Sequence, residues 1–250
     1  MRKISLITVT YNSAQTLRDT IQSVLSQSYP NVEYIIIDGL SNDSTVDIIR
    51  ECELYFNGCL LWISEKDMGL YDAMNKGFHL ATGDVIGIIN SDDLLAEPTA
   101  IEKVMRTFEE HPEADAVYAD LYYVAQNNTS KIVRHWVSGK QRPFKDGWHP
   151  AHPTFYVKRN VYQKYGVFDL EFRFAADFEL MLRLIEREHI KLVYLPEPLV
   201  RMRLGGITSK NLTNIKKGNL ECMKAFKKNG IRVSNLYPLF RILPKLKQYF

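Results

Sequence analysis

Two neighbouring acids, Asp92 and Asp93, are the residues whose types and spacing most directly suggest chemistry. They follow an apolar run at 85–89 that has the length of a buried strand. Because like charges repel at short range, such a pair needs a reason, and the usual one is a divalent cation beside it. Carboxylate oxygens suit Mg²⁺ or Mn²⁺, which bind one or two carboxylates together with substrate phosphates. The pair therefore predicts a metal-assisted phosphate site at this turn.

Three other apolar runs, at 4–9, 34–37 and 60–63, also lead directly into polar or acidic residues. Each ending alone could be a helix cap, but four endings of one kind favour a shared purpose. In a parallel sheet the carboxyl ends of the strands lie at one edge, where ligands bind. We therefore expect these polar residues to form one site.

Strand-like and helix-like patterns alternate through the first 90 residues, and either Asn12 or Ser13 is placed to cap the first helix. Strands that are apolar on both faces and alternate with helices indicate an α/β fold, with a mostly parallel sheet covered on both sides. In the second half, the patterns predict strands at 116–123, 131–137, 154–157 and 191–195. They predict helices at 98–110, at 177–188 and at 211–229, the last of which ends at Gly230. A further helix follows the strand at 154–157 and ends at Gly166.

The composition is that of a globular protein rather than a disordered or membrane-spanning one. Of 250 residues, 46% are hydrophobic and 24% are charged, which is enough to bury a core. No run approaches the ~18 apolar residues of a spanning helix, and the first residues carry no secretory signal, so a cytosolic location is expected. The three cysteines form no CxxC pair, which argues against a disulfide framework and a structural zinc.

Charge is distributed unevenly along the chain. Residues 1–200 carry a net charge of −8, whereas residues 201–250 carry +11, with Glu221 as the single acid of that segment. A basic tail on an acidic body predicts an anionic partner, and nucleic acid, a membrane surface and a phosphate-bearing substrate all qualify. The sequence contains no GxxxxGK[ST], GxGxxG, GxSxG or HExxH motif, so a phosphate ligand is expected to be held by a metal rather than by a glycine-rich loop.

Four segments carry a family resemblance through their order and spacing. They are TVTYN at 8–12, DGLSNDST at 38–45, EKDMGLYDAMNKG at 65–77, and GD at 83–84 followed by NSDD at 90–93. Together they resemble the inverting, GT-A-fold glycosyltransferases of family 2, and in particular a bacterial subgroup that builds capsule, exopolysaccharide and O-antigen repeats. The resemblance implies a GT-A domain at 1–209, with a nucleotide-sugar-binding half at 1–95 and an acceptor half at 96–209, followed by a basic amphipathic tail at 210–250.

The resemblance also assigns roles around the donor. Its DxD metal motif corresponds to Asn90, Ser91 and Asp92, so Asp92 becomes the main carboxylate on Mn²⁺ or Mg²⁺. Asn90 departs from the family pattern, although it can still hydrogen-bond ribose or metal-bound water. Asp93 is expected either to face the donor sugar or to cap the next helix. The residues carried over to the nucleotide pocket are Thr8, Thr10, Tyr11, Asn12, Asp38, Asp67 and Asn75.

On the acceptor side, Asp177 matches the family's catalytic base, and His152 resembles a position near the acceptor. Arg203, on an expected loop at 201–206 that closes over the donor, would neutralise the charge of the leaving diphosphate. The structural alternatives are a helix cap for Asp177, a packed histidine for His152 and a charge at a solvated strand end for Arg203. Glu179 is expected to be a solvated helical residue.

The implied activity is metal-dependent transfer of a sugar from a nucleotide diphosphate, with UDP expected, to a hydroxyl of a saccharide or polyprenyl-linked saccharide. A sugar nucleotidyltransferase and a non-catalytic nucleotide-sugar-binding protein are the alternatives. The first would want a basic, glycine-rich loop after the first strand, and the second would be expected to have lost Asp92 or Asp177. Nucleic acid is not an expected partner, because the basic residues of the tail are mostly lysines and the tail lacks the aromatic or arginine-rich elements that recognise nucleic acid. We expect a cytoplasmic protein attached peripherally to the inner face of the membrane.

Overall fold

Strands and helices alternate through the first half of the chain, as the sequence predicts. The computed structural model describes residues 1–205 and 212–238. The first elements are β1 (Ile4–Thr10), α1 (Leu17–Leu25), β2 (Val32–Asp38), α2 (Thr45–Glu53), β3 (Leu60–Ser64), α3 (Leu70–Leu80) and β4 (Val85–Ile88).

The second half mixes short strands, one hairpin and helices that face the same sheet. A π-helical turn at Arg183–Arg187 follows the sixth helix, and one-turn 3-10 segments occur at Phe144–Asp146 and His152–Thr154. The elements are β5 (Leu94–Leu95), α4 (Ala100–Glu110), β6 (Ala116–Ala125), β7 (Asn128–Trp136), β8 (Tyr156–Lys158), α5 (Arg159–Tyr165), α6 (Ala176–Leu182), β9 (Leu192–Arg203) and α7 (Leu212–Lys228).

The strands of the described residues form one sheet in the order β3-β2-β1-β4-β8-β6-β9-β5, with β7 paired to β6. Parallel pairing joins β1, β2, β3 and β4, and also joins β6 to β9, whereas β5, β7 and β8 pair antiparallel. The predicted α/β architecture with a mostly parallel sheet is therefore confirmed. Its two halves share this sheet, and the division at residue 95 stays a prediction.

Apolar side chains cover both faces of the sheet, which is why its central strands are apolar throughout. Ile35 and Ile37 belong to one buried layer, whereas Tyr34 and Ile36 belong to the other, because successive side chains of a strand point to opposite faces. Helices α3, α6 and α7 contribute to the first layer, and α1, α2 and α4 to the second. No helix in the described part of the chain is long and apolar enough to cross a membrane.

Helix α1 begins later than the sequence predicts. Asn12 has a left-handed backbone, with φ of 50°, and so lies outside the helix. The helix begins at Leu17, after Thr16, and the hydroxyl of Ser13 contacts the Tyr11 carbonyl and the Ser91 hydroxyl rather than a helix amide. The expectation that Asn12 or Ser13 caps this helix is therefore wrong.

Strand β9 extends eight residues beyond the predicted end at Leu195, to Arg203. It pairs with β6 along its length, and the register shifts between Leu195 and Val200. Pro196 and Pro198 lie in this irregular stretch, where a missing amide is tolerated because the ladder is already interrupted. Because proline is uncommon within strands, the local sequence does not indicate that β9 continues beyond Leu195.

Candidate active site

The carboxyl ends of β1, β2 and β3 lie level with one another. Thr10 pairs with Asp38, and Asp38 pairs with Ser64 on the next strand. Asp38 is fully buried, and its carboxylate accepts the Ser64 hydroxyl at 2.6 Å and the amide and hydroxyl of Ser41 at 3.0 and 2.5 Å. Asp38 therefore organises the loop that follows β2.

Beside Asp38, the Tyr11 ring and the Asp67 carboxylate approach Gly39. A Cβ atom at position 39 would lie 2.4 Å from Asp67 Oδ2 and 3.5 Å from the ring of Tyr11, so this approach requires glycine. Tyr11 is 62% exposed, and Asp67 is half-buried. Asn12 accepts a neighbouring loop amide at 2.9 Å through its side-chain oxygen. The structure thus brings Tyr11, Asp38 and Asp67 to one corner of the edge.

Asp93, in the turn after β4, is 1% exposed, and its buried carboxylate stabilises this turn. Asn90 donates its side-chain amide to Asp93 Oδ2 at 2.8 Å, and the main-chain amide of Arg203 lies 3.3 Å from Oδ1. Burial, and next the charge of Asp92, raise the pKa of the Asp93 carboxyl well above its ordinary value. Ser91 shares a 3.0 Å hydrogen bond with the hydroxyl of Ser13. The structure places the Asp93 side chain in the interior, and the next helix begins after Thr99, so the expected helix cap is wrong and the expected contact with the donor sugar stays a prediction.

Arg203 supports the same turn from the end of β9. Its guanidinium is 5% exposed and donates to the Asp92 carbonyl at 2.7 Å, the Asp19 carboxylate at 2.5 Å and the Gln126 carbonyl at 3.3 Å. The expected loop at 201–206 is strand as far as Arg203, because β9 continues to pair with β6. Position 206 lies outside the described residues. The donors of Arg203 are thus directed into the protein.

Asp92 is the half-buried carboxylate of this turn. Within residues 1–205 and 212–238, no group of three or more His, Cys, Asp and Glu side chains could hold a metal ion. A nucleotide-bound Mg²⁺ needs only one or two protein carboxylates, because phosphates and water fill its other positions. Asp92 therefore fits a metal site shared with a diphosphate, and does not fit a site made by the protein alone.

Three residues predicted to touch the nucleotide are instead packed within the protein. Thr8 is fully buried, accepts the Tyr34 hydroxyl at 2.9 Å and donates to a carbonyl beyond β4 at 2.8 Å. Thr10 is 5% exposed, and its hydroxyl is one of the buried side-chain oxygens in the described chain that have no hydrogen-bond partner. Asn75 donates to the Phe168 carbonyl at 2.9 Å and accepts its amide at 3.0 Å, which ties α3 to the segment before α6.

Asp177 lies in the first turn of α6, with a half-buried carboxylate. Tyr71, at the start of α3, donates its hydroxyl to Asp177 Oδ1 at 3.1 Å. Burial, followed by the charge of Asp177, raises the pKa of Tyr71 well above its ordinary value. Burial lowers the pKa of His152, against the opposing effect of the Asp177 charge. A carboxylate, a phenol and an imidazole with a lowered pKa thus come together at the start of α6.

Glu179 departs from its expected solvated position. It is 1% exposed, and its carboxylate accepts Arg183 Nε at 3.0 Å and the Asn229 side-chain amide at 3.1 Å. Sequence reasoning also missed Tyr71 and Gly39 as site residues. The signals were present, since Tyr71 opens a helix inside the motif at 65–77 and Gly39 directly follows the strand-ending Asp38.

Known proteins similar to this chain share one activity class. An uncharacterized glycosyltransferase of Mycobacterium tuberculosis is 30% identical over 184 residues, which cover 72% of this chain and 68% of that protein. A PGL/p-HBAD biosynthesis glycosyltransferase of Mycobacterium bovis is 29% identical over 179 residues, with the same coverage.

Solved glycosyltransferase structures share the fold. Staphylococcus aureus TarS 1–349 in complex with UDP matches with a TM-score of 0.68 at 15% identity, over 94% of this chain and 68% of that one. In another TarS 1–349 structure the chain covers 60% of the matched protein. The mannosyltransferase PcManGT of Pyrobaculum calidifontis, in complex with GDP-Man and Mn²⁺, matches with a TM-score of 0.67 at 16% identity, over 99% and 69%.

The fold therefore matches the GT-A structures that the sequence resemblance implies. Residues 5–176 match the family described as Glycosyl transferase family 2. This match spans more than half of the chain and includes the carboxyl ends of β1 to β4 described above. The protein belongs to glycosyl transferase family 2.

Proposed function

We propose that this protein is an inverting glycosyltransferase that moves a sugar from a nucleotide diphosphate, with UDP as the nucleotide, to a hydroxyl of a saccharide or polyprenyl-linked saccharide. The product would be a repeat unit of bacterial capsule, exopolysaccharide or O-antigen. Family membership supports transfer of a sugar, and the UDP and GDP-Man complexes of proteins with the same fold support a nucleotide-sugar donor.

The observation that carries this proposal is the carboxylate of Asp177, held by Tyr71 beside a neutral His152. A hydroxyl acceptor is a weak nucleophile until its proton is removed. In our proposal Asp177 takes that proton while the acceptor oxygen attacks the anomeric carbon. The bond from that carbon to the diphosphate oxygen breaks with its electron pair, which leaves on the nucleotide. A single displacement from the opposite face inverts the configuration.

Donor binding is assigned to the edge formed by the ends of β1 to β4. The exposed ring of Tyr11 is available to stack on the base, and Asp67 lies beside it to meet the nucleoside. Asp38, Asn12, Asn90 and Ser91 shape the loops of this pocket through their hydrogen bonds. Thr8, Thr10 and Asp93 contribute as buried supports, half-buried Asn75 ties α3 to the segment before α6, and Arg203 holds the Asp92 turn.

A divalent cation, Mn²⁺ or Mg²⁺, would supply charge neutralisation to the departing diphosphate when bound. Asp92 is the residue that would hold it together with the phosphates. Since the protein presents a single carboxylate there, we propose that metal and nucleotide bind together, and that the metal alone binds weakly. Calorimetry with UDP in the presence of Mn²⁺ or EDTA tests this role, and Asp92→Ala should remove most of the metal-dependent affinity.

We further propose that the basic C-terminal segment attaches the protein to the inner face of the cell membrane, where a lipid-linked acceptor lies. Its described part, 212–238, presents lysines on α7 and exposed apolar side chains such as Leu220 and Leu236. The parts of the predicted tail at 210–211 and 239–250 lie outside the described residues.

The deciding experiment is a screen of nucleotide sugars with Mn²⁺, read by release of the nucleoside diphosphate and by product mass with simple saccharide acceptors. We expect one donor class to be turned over and the linkage to be inverted. Pyrophosphate release from a nucleoside triphosphate and a sugar 1-phosphate would instead identify a nucleotidyltransferase. Tight donor binding with neither hydrolysis nor transfer would identify a binding protein.

A further inference from the structure

The carboxylate of Glu221, on α7, binds three consecutive main-chain amides of the segment before α6. Its Oε2 accepts the amide of Phe174 at 2.7 Å, that of Ala175 at 2.9 Å and that of Arg173 at 3.0 Å, and Oε1 also lies 3.1 Å from the last of these. Hydrogen bonds to a carboxylate are stronger than those between neutral groups. One side chain therefore fixes the course of the chain into α6.

The start of α6 has no capping side chain of its own. Helices usually begin after Ser, Thr, Asp or Asn, whose side chains accept amides that the helix leaves unpaired. Ala175 stands at that position in α6 and has only a methyl group. Glu221, 46 residues further along the chain than Ala175, accepts the amide of Ala175 itself, which is one of the amides that the helix leaves unpaired.

This anchoring affects the position of Asp177, which lies two residues after Ala175 in the first turn of α6. Tyr71 contacts one carboxylate oxygen of Asp177 from α3. Glu221 acts on the main chain that leads into Asp177 rather than on its side chain. Its charge also contributes to the raised pKa of Tyr71, after burial and the larger effect of Asp177, which indicates that the three groups lie close together.

The second half of α7 is packed against α6, so Glu221 is held in place. Phe226 contacts Phe178 with ring centroids 5.6 Å apart, and Asn229 donates to the Glu179 carboxylate at 3.1 Å. The family match ends at residue 176, so all of α7 lies beyond it. Asp177 and the helix that supports the segment before it therefore both lie beyond the matched region.

We propose that Glu221 is a positioning residue for sugar transfer, because it fixes the segment 173–175 and thereby the place of Asp177. This inference rests on the proposed function, in which Asp177 removes the acceptor proton. A displacement of about 1 Å in a reacting group is enough to cost on the order of 10²-fold in rate. Loss of Glu221 should accordingly lower turnover while the distant donor pocket is unaffected.

The test compares Glu221→Ala and Glu221→Gln with Glu171→Ala. Glu171 is a matched control, because it is an exposed carboxylate that pairs with Lys224 and Lys228 of the same helix. We expect kcat to fall about 10- to 100-fold in Glu221→Ala, with the donor KM unchanged. Glu221→Gln keeps an acceptor oxygen and should recover part of kcat, and Glu171→Ala should behave as wild type.

Hydrogen exchange of the amides at 173–175 provides a readout that does not depend on transfer. We expect these amides to exchange faster in Glu221→Ala than in the wild type, and at the wild-type rate in Glu171→Ala. Equal exchange in the wild type, Glu221→Ala and Glu171→Ala overturns the inference, whatever their activity. If the alanine variant does not fold, the comparison is made with Glu221→Gln. Wild-type kcat in Glu221→Ala, alongside active wild-type enzyme, also overturns it. A wild type that transfers no sugar would instead contradict the proposed function.

Discussion

At the scale of single residues, the proposed transfer depends on Asp177. Its carboxylate contacts Tyr71 and lies near His152, and a helix N-terminus favours a negative charge at this position. We expect Asp177→Asn to fold, because asparagine keeps the shape and the acceptor oxygen for Tyr71. Transfer should fall by about 10²- to 10⁴-fold, the usual contribution of a general base. Single-turnover transfer, measured beside donor affinity, checks both expectations.

Asp169→Asn is the matched control for this substitution. Asp169 is an acid of the same half of the chain, but its carboxylate pairs with Lys228. It should retain transfer activity. Transfer within a few-fold of wild type in Asp177→Asn would show that Asp177 serves the helix and not the reaction. His152 would then become the next candidate base, since burial lowers its pKa and keeps the imidazole neutral.

A second residue-scale prediction concerns Glu33, at the opposite end of the sheet. Burial alone would raise the pKa of Glu33, but hydrogen bonds from Lys3, Ser5 and Thr82 outweigh it and lower the pKa to about 2. A carboxyl whose pKa is lowered by folding stabilises the protein above its unfolded pKa, and that stability is lost as the pH falls towards 2. Glu33→Gln should cost about 2 kcal/mol at pH 7.

The same substitution should cost much less near pH 2, where the wild-type carboxyl is itself becoming protonated. Urea unfolding at the two pH values measures the difference. Glu51→Gln is the control, because Glu51 forms an exposed ion pair with Arg18 on 63% and 45% exposed side chains, and such pairs contribute little. An equal loss of stability at both pH values in Glu33→Gln would contradict the prediction.

The sequence indicated which strand ends form the site, but not which of their side chains reach its surface. Thr8 and Thr10 lie on a strand covered on both faces, so their side chains are buried, whereas Tyr11, one residue past the strand, is exposed. Asp92 and Asp93 are alike in sequence, yet one is half-buried and the other is bound inside by Asn90. These distinctions depend on packing, which spacing alone does not reveal.

At the scale of elements, α3 lies directly on β1 and carries Tyr71 to Asp177. The contact is made at Gly77, where an added Cβ would lie 2.5 Å from Cγ2 of the fully buried Ile7. We expect Gly77→Ala to destabilise the protein by about 1–3 kcal/mol, because a branched side chain within a packed strand cannot move aside. The resulting shift of α3 should also lower transfer through Tyr71.

Urea unfolding and transfer assays on Gly77→Ala check this prediction. His79→Ala is the control, since His79 is an exposed residue of the same helix. Alanine normally stabilises a helix relative to glycine by about 0.5–1 kcal/mol. A more stable Gly77→Ala protein would therefore show that α3 does not rest on β1 at this point.

Elements with a regular pattern were predictable, and those set by long-range pairing were not. The strands β1 to β4 and the helices between them follow from apolar runs and helical spacing within the local sequence. Strand β9 was recognised only as far as Leu195, because its remaining residues are strand by virtue of pairing with β6 across a bulge. The two-residue β5 exists only through its pairing with β9.

At the scale of the whole molecule, the uneven charge of the chain has a structural counterpart on α7. Lys216 and Lys227 are both exposed, and they are 11 residues apart, so they lie on nearly the same face of the helix. Leu220 lies between them and is 61% exposed. A face with basic and apolar side chains is suited to an anionic lipid surface, where each basic residue contributes roughly 1 kcal/mol.

The membrane proposal therefore predicts that the protein sediments with vesicles containing anionic lipid at low salt, and is released as salt screens the attraction. The double variant Lys216→Gln and Lys227→Gln should lose about 2 kcal/mol of binding, or roughly 30-fold in partition coefficient. Its control is Lys131→Gln with Lys140→Gln, which removes the same charge from exposed positions in the hairpin region. Equal losses in both double variants would show that net charge, and not the α7 face, drives attachment. Folded wild-type protein that ignores anionic vesicles at low salt would contradict membrane attachment itself.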